Sequence, residues 1–127
     1  MITTIRTVKF TIDGDTVNPP VPQYAGVQGE HNATLLCFEL PAEWNTAYQY
    51  RLEYVDGLQH TRVTPTLEAA QGAVSYPIPK DWTKAGGMGE ARLCAMLLDE
   101  QKQEQQRVYT QTGRIYFSPQ EDGEPRD

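Results

Sequence analysis

The sequence predicts an all-β protein, and three observations support this prediction. Apolar residues alternate with polar ones along several short segments, the period-two pattern of a strand with one buried face. Tyrosine, with seven copies, is the commonest aromatic residue and suits half-buried sheet surfaces. Turn signals recur roughly every 8 to 12 residues, which is typical of a β-sandwich of about seven strands.

The first strand is predicted over residues 5–12, where Val8, Phe10 and Ile12 share one face. Three prolines follow within residues 17–24. Proline has no amide hydrogen to donate to a neighbouring strand, so this segment should be extended and poorly paired. We expect it at a sheet edge.

The centre of the chain is predicted to hold two strands, at residues 33–40 and 48–55. The first is apolar on both faces, which indicates a central strand. The second alternates cleanly, and its apolar face is made by Tyr48, Tyr50, Leu52 and Tyr54. Arg51 and Glu53 fall on its opposite face, where we expect them to meet water or charged partners across the sheet.

A hairpin turn is predicted at Asp56-Gly57, because glycine accepts the positive φ that tight turns need. The return strand would occupy residues 59–63. Residues 74–78 alternate again but contain two prolines, so they should form an edge strand. Proline also blocks unwanted strand addition, so partner contacts are expected from loops and sheet faces rather than from these edges.

The next segment is predicted to form one helical turn at residues 80–84, which places Trp82 on the end of the sheet. Residues 90–99 are apolar on both faces and should form a second central strand. An amphipathic helix over residues 91–105 is the rival interpretation, since this stretch is rich in helix-forming residues. The glycines before the stretch favour the strand.

The last strand is predicted over residues 107–118, after a polar hairpin loop at residues 99–106. The apolar parity changes inside this strand, so we expect a bulge at Gly113 to reset the pleat. Residues 1–118 should therefore form a single β-sandwich domain. An acidic flexible tail is expected over residues 119–127.

Composition and charge exclude several classes of function. The net charge is −6, so no positive field draws in nucleic acid or an anionic membrane surface. No apolar run is long enough to span a bilayer. The N-terminus lacks the pattern of a signal peptide, so we expect synthesis in a cytoplasm without export by that route.

No arrangement of side chains predicts catalysis, a metal or a cofactor. His31 and His60 lie in or beside polar turns, and no ligand spacing pairs them with the cysteines. Cys37 and Cys94 are expected to be reduced thiols packed in strands, and the alternative is one disulfide that clamps two sheets. We therefore predict that the protein is not an enzyme and has no catalytic, cofactor-binding or metal-binding residues.

The order of sequence features resembles a family of phage proteins. VKFTIDGD is followed by QGEHNAT, a strand ending in FELP, the hairpin YQYRLEYVDG, and then VSYPIP, WTKAGGMGEARL and RIYFS. This order is similar to the N-terminal β-sandwich domain of tail and baseplate proteins from phages and prophages of Gram-positive bacteria, the family that includes the upper baseplate protein. The resemblance spans roughly residues 7–118 and implies an antiparallel immunoglobulin-like sandwich of about seven strands.

The resemblance also implies a structural, non-enzymatic role in assembling the particle. The implied partners are other tail or baseplate proteins, with further copies of the chain as an alternative. The implied location is the bacterial host cytoplasm during assembly and the virion tail afterwards. The loop carboxylates that are candidates for such contacts are Glu30, Glu43 and Asp56.

An alternative function is a carbohydrate-binding sandwich, because flat aromatic rings pack well on the apolar face of a sugar. The candidate aromatic residues are Tyr48, Tyr50, Tyr54, Tyr76 and Trp82. Their period-two placement beside aliphatic residues favours a role in the core instead. Burial of these rings therefore separates the two interpretations: exposed rings favour the sugar, and buried rings favour assembly.

Overall fold

Ten strands and one helical turn make up the structure, a computed structural model that describes residues 3–44 and 48–119. The strands are β1 (Arg6–Asp13), β2 (Thr16–Asn18), β3 (Gln23–Val27), β4 (Thr34–Glu39), β5 (Tyr48–Val55), β6 (Thr61–Val63), β7 (Ala73–Pro77), β8 (Gly87–Leu98), β9 (Glu104–Tyr109) and β10 (Gly113–Ser118). The helical turn, α1 (Lys80–Thr83), follows β7 as the sequence predicts.

Two sheets face each other across a shared core. Sheet A has the order β2-β1-β4-β7, and sheet B has the order β3-β10-β8-β5-β6, with β9 also paired to β8. The prediction of an all-β, sandwich-like chain is confirmed. The sheets are nevertheless mixed, because β1 runs parallel to β4 and β3 runs parallel to β10. Strand β2 pairs antiparallel with β1, and the chain then crosses to sheet B to form β3. When it returns to sheet A as β4, it runs parallel to β1.

The prediction of about seven strands is too low for the described residues. The proline-rich segment at residues 17–24 contains most of β2 and the start of β3. The single strand predicted at residues 107–118 is in fact two strands, because β8 is long enough for β10 to pair with its first half and β9 with its second half. Gly113 is the first residue of β10 rather than a bulge within a longer strand. The rival helix over residues 91–105 is not formed, since most of that stretch lies in β8 and β9.

The core is made by the alternating apolar residues that the sequence marks. Phe10 of β1 packs on Phe38 of β4 with ring centroids 5.4 Å apart. From sheet B, the fully buried aliphatic side chains of Leu52, Leu93 and Ile115 complete this layer. Each such burial stabilises the fold by about 1.5–3 kcal/mol. The two strands predicted to be central, β4 and β8, each have neighbours on both sides.

The proline-bearing segments lie at sheet edges, as predicted: Pro77 is in β7, and three prolines lie between β2 and β3. Strands β2 and β7 form the two edges of sheet A, and β3 forms one edge of sheet B. A proline at such an edge leaves no ladder hydrogen bond unmade and discourages another chain from pairing there.

The predicted turn at Asp56-Gly57 is formed, but for a different physical reason. Asp56 Oδ1 accepts hydrogen bonds from the backbone amides of Leu58 and His60, each at 2.9 Å. The positive φ of the turn belongs to Gln59, at 68°, and not to Gly57. Gly57 is required for a close approach instead, because a Cβ there would lie 3.0 Å from a backbone carbonyl oxygen of the neighbouring loop.

The two cysteines are free thiols, and both are buried. Cys37 lies in sheet A and Cys94 in sheet B, and the residues on either side of each point into the core. Both thiols therefore lie on the outer sides of their sheets, facing away from each other, so the alternative of a disulfide between the sheets is not realised. Burial raises the pKa of the Cys94 thiol.

The tail predicted at residues 119–127 lies, apart from Pro119, outside the described residues. Within the described ranges, no helix has the length and apolar character that crossing a bilayer requires.

Candidate functional site

Two of the three candidate loop carboxylates are used inside the fold. Glu30 Oε1 lies 2.7 Å from Nη1 of Arg6 and also accepts a hydrogen bond from the backbone amide of Val27 at 2.8 Å. The hydrogen bond from Arg6 lowers the pKa of the Glu30 carboxyl. Asp56 is 2% exposed and holds the β5–β6 hairpin together. Of the three candidates, only Glu43 is exposed.

The structure does not bring these carboxylates together. The Glu30 carbonyl accepts a hydrogen bond from Thr83, and Arg62 joins Asp56 to Asp81, so both carboxylates border α1. Glu43 follows the far end of β4, at the opposite end of the sandwich.

Three of the five candidate aromatic residues belong to the core. Tyr50 and Tyr54 are each 1% exposed, and Trp82 is 3% exposed. Tyr54 stacks on Trp82 with centroids 4.9 Å apart, and burial raises the pKa of its phenol. Their rings have no free face for a sugar. Tyr76 is half-buried with its ring 5.5 Å from that of Trp82, and Tyr48 is half-buried at the other end of the sandwich.

An arginine- and tyrosine-rich surface covers the outer side of sheet B. Tyr24, Tyr116 and Met88 lie directly across from one another on β3, β10 and β8, and all three are exposed. We call the whole surface the tyrosine–arginine face and define it by eight residues. They are Arg51, Met88, Arg92, Arg107, Tyr109, Arg114, Tyr24 and Tyr116.

A network of charges forms the middle of this face. Arg92 donates to Glu53 Oε1 through Nε at 3.0 Å and Nη2 at 2.8 Å, and Arg51 Nη2 lies 3.2 Å from Glu53 Oε2. The guanidinium of Arg92 also lies 4.0 Å from the centroid of the Tyr109 ring, a cation–π distance. The expected charged partner across the sheet is thus present for Glu53, which meets Arg92 of β8, whereas Arg51 pairs with Glu53 of its own strand. Sequence reasoning missed Tyr109 and Arg107, because it placed part of β9 in a loop and joined the rest to β10.

One donor of this network is unsatisfied. Among the described residues, Arg51 Nε is the buried side-chain atom that lacks a hydrogen-bond partner. A buried donor without an acceptor is unfavourable, so this nitrogen lowers the stability that the network contributes.

A groove of about 660 Å³ opens at the end of the sandwich that carries Glu43. One wall is the turn that follows β4 and includes Trp44, and the other is the segment from Glu68 to Gly72. Tyr48 and Tyr50 of β5 also line it. Trp44 was not a sequence-predicted site residue, because it falls on a connection rather than on an alternating strand.

Comparisons with known proteins bear on the fold. No protein-family model and no curated protein matches the chain. Among solved structures, the N-terminal domain of phage TP901-1 ORF48 is similar, with a TM-score of 0.60 and 12% sequence identity. The similarity covers 89% of this chain and 98% of that one. At this identity the likeness concerns the fold and transfers no individual residue. The resemblance to the N-terminal domain of a phage protein is therefore confirmed at the level of fold.

Proposed function

We propose that the chain is a non-enzymatic structural module of a phage or prophage tail. Within the tail it would belong to the baseplate, and it would act through protein–protein contacts. The observation that carries this proposal is the fold shared with the phage TP901-1 ORF48 domain over 89% of the chain. The order of sequence features typical of tail and baseplate domains supports it independently. The module would be made in the host cytoplasm and then reside in the virion tail.

The domain proposed for residues 1–118 is immunoglobulin-like. In immunoglobulin domains, strands C, F and G lie in one sheet, and strands A, B and E lie in the other. Here β5, β8 and β10 are neighbours in sheet B, and β1, β4 and β7 are neighbours in sheet A. This strand order supports the assignment.

The tyrosine–arginine face is the surface that we assign to partner contact. Tyrosine, methionine and arginine are enriched at protein interfaces, whereas lysine is depleted there. All four arginines that point outward from sheet B belong to this face, whereas the outer side of sheet A carries Lys9.

Docking of a partner on the loops can be tested at only one of the three candidate carboxylates. Charge reversal at Glu30 or Asp56 would break contacts within the fold, so a loss of assembly in either variant would not identify a docking residue. Glu43 is exposed and makes no such contact with the residues that the structure describes, so Glu43→Lys is the variant that tests loop docking.

Mass spectrometry of particles released from the source bacterium after prophage induction tests the function itself. We expect this chain at stoichiometric abundance in purified particles. Particles that lack the chain would exclude the tail function.

A paired substitution tests the assigned face. Met88→Ser with Tyr116→Ser should lower incorporation into particles by about tenfold or more, because buried tyrosine contacts carry much of the binding energy of an interface and methionine is enriched there. The matched control is Lys9→Ser with Thr11→Ser on the outer side of sheet A, which should leave incorporation unchanged. Normal incorporation of the sheet B variant would reject this face but not the structural role.

Carbohydrate binding is the second candidate function, and the groove at Trp44 and Tyr48 is the observation that favours it. With Tyr50, Tyr54 and Trp82 in the core, a sugar site that uses aromatic rings must depend on other residues. Partners in this case would be saccharides rather than tail proteins.

A further inference from the structure

We propose that the groove beside Trp44 binds a neutral hexose unit of a saccharide. This inference gives the carbohydrate alternative a specific site and ligand class, and it does not depend on the assembly role. The groove lies at the end of the sandwich, and its lining combines aromatic, amide and carboxylate groups.

The walls of the groove are fixed by backbone hydrogen bonds. The amide of Leu40 donates to the carbonyl of Gly72 at 2.9 Å, which ties the two walls together. Ala70 and Ala73 exchange hydrogen bonds of 2.8 and 3.1 Å around a tight turn. These bonds hold the described parts of the two walls together before a ligand binds, which lowers the entropic cost of binding.

Aromatic rings form the apolar part of the groove. The Trp44 ring is parallel to the buried Tyr50 ring, with an interplanar angle of 1° and centroids 6.4 Å apart. Trp44 and Tyr48 are half-buried, and both line the groove. The Tyr48 hydroxyl donates to Gln106 Oε1 at 2.6 Å, which orients that ring. The C–H face of a pyranose matches such supported ring surfaces.

Polar side chains at the groove select the kind of sugar. Gln49 and Gln71 offer amide donors and acceptors, and Glu68 offers acceptors for sugar hydroxyl groups. Of the described residues that line the groove, none is basic, and the chain carries a net charge of −6. An anionic saccharide would be repelled at this end of the molecule, so a neutral hexose is the favoured ligand.

Nuclear magnetic resonance on the ¹⁵N-labelled full chain tests the site. The probes are neutral disaccharides of glucose, galactose and N-acetylglucosamine at millimolar concentrations. We expect saturable shifts of the Trp44 indole N–H and the Gln71 side-chain amide. The indole N–H of Trp82, buried in the core, should not move and serves as an internal control.

Variants locate the binding. Trp44→Ala should weaken the affinity by about tenfold or more, because it removes the ring that packs on the sugar. Tyr24→Ala, a matched control on the distant tyrosine–arginine face, should leave the affinity unchanged. Glu68→Ala, at an exposed position, keeps the test decisive if Trp44→Ala fails to fold and should also weaken binding.

Three results would each overturn the proposal. The first is the absence of Trp44 shifts with all the disaccharides. The second is unchanged affinity in a folded Trp44→Ala or, where that variant does not fold, unchanged affinity in Glu68→Ala. The third is tighter binding of a sulfated than of a neutral disaccharide. None of these affects the assembly role, because incorporation into particles is a separate measurement.

Discussion

The outer faces of the two sheets follow the same alternation along their strands but differ in chemistry. On sheet A, Lys9 Nζ lies 3.3 Å from Glu39 Oε2, and the two side chains are 56% and 43% exposed. On sheet B, Glu53 is only 13% exposed and holds both Arg51 and Arg92. An exposed ion pair contributes little to stability, whereas a shielded one is strongly destabilising to break. The comparison indicates that sheet A presents a solvated face and sheet B a partly desolvated one.

The largest expected difference between the faces concerns their central carboxylates. Glu53→Ala should lower the free energy of unfolding by about 2 kcal/mol, because it leaves two partly shielded guanidinium groups without their carboxylate. Glu39→Ala is the matched control and should leave the unfolding midpoint nearly unchanged. Chemical denaturation measures both. Equal losses in the two variants would show that the faces are solvated alike.

A smaller effect is expected from the ring that supports Arg92. Tyr109→Leu keeps an apolar side chain but removes the cation–π contact with Arg92 and the hydrogen bond that the hydroxyl accepts from Arg107, so it should cost about 0.5–1 kcal/mol. Tyr116→Leu is the control, since the structure gives no cation–π contact for Tyr116 in the described part of the chain. Thermal unfolding of the two variants compares them. Indistinguishable midpoints would indicate that the network does not depend on the ring.

The smallest effect is expected on sheet A and depends on pH. Hydrogen bonds from Thr11 and Lys9 lower the pKa of the Glu39 carboxyl. A lowered folded-state pKa gives stability that is present at neutral pH and is lost as the pH falls through that pKa. Glu39→Gln should therefore lose slightly less stability than the parent chain between neutral pH and about pH 3. Unfolding midpoints across this range measure the difference, and identical acid profiles would contradict the prediction.

The sequence predicted strands well where alternation is strong. Strand β5 has the predicted bounds, and the proline-bearing segments form sheet edges. The prediction of one strand at residues 107–118 was wrong. The chain ends β9 and begins β10 within this segment, because the two strands pair with different halves of β8. Pairing between distant segments has no local signature in the chain.

The candidate site was predictable only in part. The alternation of apolar and polar residues places Tyr50 and Tyr54 on one face of their strand, but it does not show what packs against that face. In the structure both rings are buried in the core between the two sheets. Asp56 looked like a loop carboxylate, yet its acceptor oxygens bind the backbone of its own hairpin. Trp44 carried no periodic signal, because its position at the groove results from the contact between two loops.

The sequence by itself determined the all-β class, the inward faces of the strands and the edges, because these follow from side-chain alternation and from the chemistry of proline. Only the tertiary structure decided the two parallel pairings, the outward direction of both thiols and the groove beside Trp44. Those features depend on which strands and loops meet across the sandwich. That choice is made by packing of the whole core and not by any single segment.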